Sequence, residues 1–321
     1  SAAYVHAIGT IHKENADNIQ GIHSKDGTDI NLSDITLVTS GMAERRMHVL
    51  LGTEQYQSYG RNYTIGTANR VMRNGRQTWV APLEYYGVGL YAYLHDISSP
   101  GYLWVDANND EDAGVVTTNN NKNIEMSYLD SGVFSHNIIR IARENYPLKL
   151  FRFTYFTTDN LGIPVNIINV VTPIAGGSGS KPDGVIVVNA ETGNATYYAP
   201  DAIPTWITYA ADSSTVKNMI EDWGTYIHGY WNSSSFGNGT DIKDVSGNID
   251  VVPLIDNHMA YYLGIHPPNA KYGNEGFFLY DAHNASASFI PVSGITEEQA
   301  ESALESRIRN QRGWHTNIAI L

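Results

Sequence analysis

Gly101-Tyr-Leu-Trp-Val-Asp-Ala107, Gly184-Val-Ile-Val-Val-Asn-Ala190 and Gly276-Phe-Phe-Leu-Tyr-Asp-Ala282 are three copies of one pattern. Each is glycine, four apolar or aromatic residues, Asp or Asn, then Ala. Four β-favouring residues that close on a turn-forming side chain predict a short buried strand. The bare pattern recurs at Gly264–Ala270 around Pro267-Pro268, which no regular strand accommodates. The apolar centre is therefore the discriminating part. Internal self-similarity of this kind governs how the rest of a chain is read.

Outward from the second copy, Phe151–Phe156 alternates in strand fashion, Asp159-Asn160-Leu161-Gly162 is a turn, and Val165–Val171 is a second strand. A Gly/Ser-rich loop over 174–183 leads to Gly184, and the strand turns at Glu191–Gly193 and continues to Tyr198. Around the first copy, Asn74-Gly75 is a hairpin turn into a strand over Thr78–Tyr86, where Pro82 predicts an edge or a bulge. A long loop then reaches Gly101. The third copy follows Val251-Val252, a turn near Asp256-Asn257, and a strand over Met259–Leu263. Upstream of each meander lies an amphipathic helix. The three are Met42–Leu51 capped by Ser40, Asn137–Asn145 capped by Ser135, and Thr215–Tyr230 capped by Ser214. A fourth helix opens on the capping box Thr296-Glu-Glu-Gln299, and Asn317–Leu321 reads as a terminal strand.

These readings predict an α+β fold of three tandem helix-plus-antiparallel-meander modules packed together, with a C-terminal helix and strand. The expected boundaries are an extended N-terminal arm over 1–35, modules over 36–134, 135–212 and 213–292, and the terminal helix and strand over 293–321.

The unit resembles the PepSY module, a small cystatin-like α+β domain whose hallmark is V-D-A-x-T-G before a last short strand. Val188-Asn189-Ala190-Glu191-Thr192-Gly193 carries the hallmark with Asn for Asp; Val105-Asp106-Ala107 and Tyr280-Asp281-Ala282 carry its first half. Thr296–Arg309 resembles the PepSY helix. Trp79–Tyr85 and Trp223–Gly229 are similar to segments of a family of long, membrane-anchored bacterial proteins of unknown function. The resemblance covers roughly residues 35–310. It implies an extracytoplasmic location and a non-catalytic role in inhibition, regulation or assembly, and it supplies no catalytic residues.

The formal charge of −13 in 321 residues argues against a nucleic-acid partner. No Cys is present, which excludes disulfides and thiolate chemistry. No run approaches the ~20 apolar residues of a spanning helix, and Ser1-Ala2-Ala3 is compatible with a removed signal peptide or anchor and equally with a chain trimmed at its start. Asn, Ser, Thr, Gly and 21 Tyr supply the polar character, a mixture suited to wet, neutral protein contacts.

Asp106, Asn108, Asp110 and Asp112 alternate oxygen ligands as the start of a calcium loop does, although Glu111 and Thr117 replace the loop's Gly and Glu. A polar surface turn competes with that reading. Glu221, Asp222 and His228 sit beside Trp223 and Trp231, where a Glu–His pair could serve acid–base work or sugar binding. A plain amphipathic helix explains the same spacing. Glu84 is a further carboxylate for a polysaccharide hydrolase. Asn62, Asn194, Asn232, Asn238 and Asn284 head glycosylation sequons, as does Asn31. Of the 11 His, none forms an HExxH or His-x-His set, and no GxSxG elbow or phosphate loop occurs.

The reading favoured by the sequence is a non-enzymatic, extracytoplasmic structural or protein-binding protein. It has no cofactor unless calcium binds, and its partner is a protein, with self-assembly through copies of itself as the sharper form. A regulator of a secreted peptidase and an envelope polysaccharide hydrolase or binder are the alternatives.

Overall fold

The computed structural model describes residues 23–24, 36–87, 89–174, 179–226, 244–245, 249–254, 258–266 and 276–291. Two compact units emerge. One holds residues 36–171 and 183–210; the other holds the described parts of 1–35, 172–182 and 211–321. The first strand in chain order, β1 (His23–Ser24), belongs to the latter.

In the unit that starts at residue 36, α1 (Ser40–Leu51) and the short α2 (Gln57–Gly60) precede β2 (Tyr63–Ile65), β3 (Asn69–Arg73) and β4 (Arg76–Tyr85). After them come α3 (Gly89–Leu94), β5 (Tyr102–Asp106), β6 (Ala113–Val116) and the ribbon β7 (Thr118–Asn119) and β8 (Lys122–Asn123). A 3-10 turn at Phe134–His136 leads to α4 (Ile138–Asn145), β9 (Leu150–Thr158), β10 (Pro164–Pro173), β11 (Ser180–Asn189) and β12 (Ala195–Tyr198), with the end of β10 from residue 172 and the start of β11 up to residue 182 counted in the other unit. The five-stranded sheet runs β2-β4-β5-β6, with β3 also on β4; the four-stranded sheet runs β12-β11-β10-β9.

Strand alternation sends one face of each sheet to a helix. Met47 and Leu51 of α1 pack on Ala81, Leu83, Leu103 and Val105. Ile138, Ile141 and Ala142 of α4 pack on Ile168, Val170, Ile186 and Val188. The opposite faces are closed too: Val71, Val80, Tyr102, Ile167 and Val185 are buried, and Tyr102 meets Phe156 with ring centres 5.8 Å apart.

Local chemistry explains several boundaries. The β3–β4 hairpin turns on Asn74 and Gly75, both at positive φ (51° and 74°), as a two-residue hairpin requires. Pro82 is neither on an edge nor in a bulge. It pairs with Tyr102 on one side, while on the other β4 changes partner from β3 (through Val80) to β2 (from Leu83). The missing N–H falls in that gap. Helix caps shift from the expected residues: Thr39, not Ser40, accepts Met42 N–H at 3.3 Å, and Asn137, not Ser135, accepts Arg140 N–H at 3.0 Å.

In the second unit, α5 (Ser213–Tyr226) is followed by β13 (Asp244–Val245), β14 (Asp250–Pro253), β15 (Met259–His266), β16 (Gly276–Asp281) and β17 (Ala287–Pro291). Asp212, not Ser214, caps α5, accepting Thr215 N–H at 2.9 Å. The sheet runs β1-β17-β16-β15-β13, with β14 also on β15, and β1 joins it in parallel. Trp223 of α5 stands edge-on to Phe278, ring centres 4.6 Å apart.

The expected architecture of three tandem helix-plus-meander modules is therefore overturned. The described chain is mostly antiparallel β-sheet, one sheet curling as a half-barrel, with five helices of which α2 and α3 span only four and six residues. Two physical facts defeat the modular reading. Sheets recruit strands from the expected arm (β1) and from segments where no element was expected (β6, β7, β8 and β13), and β4 serves two partners in succession. The terminal helix and strand over 293–321 lie outside the described residues.

Gly184 has φ +96°, and a Cβ there would sit 2.1 Å from Tyr198 O. Gly184→Ala should therefore cost about 2 kcal/mol or more, from backbone strain plus the clash, read as a lowered urea midpoint with unchanged m-value. Gly75→Ala, with φ +74° but open space around it, should cost less.

Candidate functional site

The three signature segments share one local geometry. Asp106 Oδ1 accepts Asn108 N–H at 2.8 Å and Asn109 N–H at 3.1 Å. Asn189 Oδ1 accepts Glu191 N–H at 2.9 Å and Thr192 N–H at 2.8 Å. Asp281 Oδ1 accepts His283 N–H at 2.9 Å and Asn284 N–H at 3.0 Å. One oxygen holds each turn, so Asn serves as well as Asp. The next residue, Ala107, Ala190 or Ala282, is fully buried.

This geometry assigns Asp106 a turn-forming role. Asn109 Oδ1 accepts Glu111 N–H at 3.2 Å, and Asp112 lies 3.9 Å from Arg76. Asp106, Asn108, Asp110 and Asp112 thus share one turn. Among the described residues no group of three or more His, Cys, Asp and Glu side chains is arranged to hold a metal ion.

Glu221 lies 3.7 Å from Lys217 one turn back on α5, and Asp222 lines a small hollow with Ser180, Lys181 and Asn218. His228 lies outside the described residues, as do Asn31, Asn232 and Asn238. Asn62, Asn194 and Asn284 are exposed. Asp281 also acts through its other oxygen: Oδ2 lies 3.2 Å from His258 Nδ1 and accepts Asn284 Nδ2–H at 3.1 Å.

The feature that sequence reading missed is an exposed aromatic and aliphatic surface on the first unit. Tyr86 is 77% exposed, Leu94 68%, Phe134 53% and Tyr91 50%. Helix α3 presents it from a stretch expected to be loop. Tyr91 stacks with Tyr85 at 6.3 Å and meets His95 at a tilt at 4.0 Å, while Tyr93 meets Phe134 at 5.3 Å and His136 at 4.9 Å. Between α3 and α4, Leu90, Gly132, Val133, Phe134, Asn137 and Arg140 line an open groove of about 470 Å³.

Phe134 has φ +50°, a conformation that bulky residues avoid. Its surroundings enforce it. Asn137 Nδ2 donates to Asp130 O at 3.2 Å and Gly132 O at 3.1 Å, and Ser135 Oγ donates to Tyr93 Oη at 3.2 Å. A side chain at Gly132 would strike His136 O at 2.3 Å. Strain held in place to display an exposed aromatic points to use. The apolar rhythm of Gly89-Leu-Tyr-Ala-Tyr-Leu94 was the available signal; the φ of Phe134 had none.

Glu84 borders this surface through a hydrogen bond to Ser131. Burial raises its pKa above the ordinary Glu value; the Ser131 bond opposes that rise and the charge of Asp130 adds to it. Comparison with family models, with curated proteins and with solved structures returns no match.

A raised folded-state pKa means that the native state holds the Glu84 proton longer than the unfolded chain does. Its contribution to stability is thus fully present below the unfolded pKa and is lost as pH rises through the folded pKa. Glu84→Gln should therefore gain melting temperature over the parent near pH 7 and less near pH 4. A gap independent of pH would contradict the burial effect.

Proposed function

We propose that this chain is a non-enzymatic, extracytoplasmic protein with a structural or protein-binding role. The observation that supports this most is the exposed aromatic surface around α3 and Phe134. Contiguous apolar patches rimmed by polar groups mark interaction sites on folded proteins, and rigid aromatic anchors with an Arg close by are the residues that carry protein–protein affinity. The groove is open, as a protein contact requires, and Arg140 is the one ionisable residue that lines it. Among the described residues burial pushes up the pKa of Tyr155, Tyr209 and Tyr280, all of them buried. In the described residues no helix is long and apolar enough to cross a membrane.

A photo-crosslinking amino acid at position 94 should give protein adducts in native material, whereas the same probe at the exposed Val49 of α1 should give few. Equal yields at the two positions would contradict the reading. So would envelope-polysaccharide hydrolysis abolished by Glu84→Gln.

A further inference from the structure

The first unit carries a second exposed apolar area at the opposite end of α4 from the groove. Leu148 is 95% exposed, Leu150 44% and Phe153 43%. All three lie on or just before β9, an edge strand whose ladder partner among the described strands is β10. Its register slips between the Ile168–Thr154 and Val170–Phe151 pairs, so Arg152 and Phe153 together oppose the single residue Asn169. That is a bulge, which bends an edge away from simple strand-to-strand pairing. Side chains, not the open backbone, are what this edge offers.

The rim of the groove and the β9 edge are complementary in charge, and the one cation that lines the groove, Arg140, is already paired with Glu144 at 2.9 Å. Glu84 and Asp130, at the rim of the aromatic surface, make no ion pair with described residues, and neither does the exposed Arg152. A chain of net charge −13 repels its own copies at long range, so contact between copies needs a local match of opposite sign. Arg152 beside Phe153 supplies the cation, and an Arg also stacks well on tyrosine faces.

We propose that the aromatic surface around α3 seats the Leu148–Phe153 edge of a second copy of this chain. Phe153 and Leu150 enter the groove beside Leu90 and Phe134, and Arg152 meets Asp130 and Glu84. The contact joins two different patches, so it is heterologous and builds closed rings or open series of subunits. The pairing rests on the protein-binding reading above and names the partner.

Sedimentation velocity of the full chain over a concentration series tests it. The parent should associate with increasing concentration. Asp130→Arg and Arg152→Asp, both at exposed positions, should each weaken association about tenfold or more, because each sets like charges face to face. Joined in one chain, the two changes should restore it. Phe153→Asp should abolish it, with melting temperatures of all variants unchanged. A parent that stays monomeric throughout, or a double variant no better than the singles, overturns the pairing. If the parent is monomeric but the position-94 probe still captures a different protein, only the pairing falls. If the probe captures nothing, the binding reading falls with it.

Discussion

In each signature segment a single backbone bond closes the meander. Ala107 N–H donates to Gln77 O at 3.0 Å, Ala190 N–H to Pro164 O at 3.0 Å, and Ala282 N–H to Met259 O at 2.9 Å. Each acceptor stands at or next to the start of the preceding strand. The donor is buried, so leaving it unpaired would cost the full desolvation of an amide. The Asp or Asn before it folds onto the turn that follows and fixes where the strand must end. Strand end and strand start are thereby locked in register, and a slip of one residue would turn every apolar side chain to the wrong face.

The same residue also fastens the chain ahead of a helix. Ala107 O accepts Leu37 N–H at 3.0 Å and Val38 N–H at 2.8 Å, just before α1; Ala190 O accepts Ser127 and Tyr128 N–H at 3.0 Å, ahead of α4. The helices are set over their sheets by those ties, and Met47 and Ile138 then find the cores that hold them. At the other end of the strand, glycine is required where backbone crosses closely: a Cβ on Gly101 would lie 2.0 Å from Val116 O, and one on Gly184 2.1 Å from Tyr198 O. Loop length adjusts around this frame. Asn189 and Asp281 N–H bond five residues on, to Asn194 O and Ser286 O, whereas Asp106 N–H bonds to Asp112 O, one residue further.

Sequence made the strands and main helices legible because their signals are local. Alternation found β9, the run Val165–Val171 found β10, Asn74-Gly75 found its hairpin, and the 3.6 rhythm found α1, α4 and α5. It misplaced caps by one or two residues, since neighbouring Thr39, Asn137 and Asp212 compete with Ser40, Ser135 and Ser214 for the same amides. It failed on the fold class, because strand pairing is non-local: nothing in His23-Ser24 announces a parallel partner in β17, and Pro82 looked like an edge until β4 proved to change neighbours beside it. Of the expected site residues, Asp106 proved to hold a turn, Glu221 to lie beside Lys217, and Glu84 to border the aromatic surface. The surface itself escaped notice because exposure and the left-handed φ of Phe134 are properties of the folded chain.

The lock between strand end and strand start is most directly tested by residue-resolved hydrogen exchange under native conditions. The amides of Ala107, Ala190 and Ala282 should be among the slowest in the chain, opening only with loss of the whole sheet they belong to. Exchange of these three amides at the rate of the neighbouring turn amides would show that they do not close the meanders, and the account would fail.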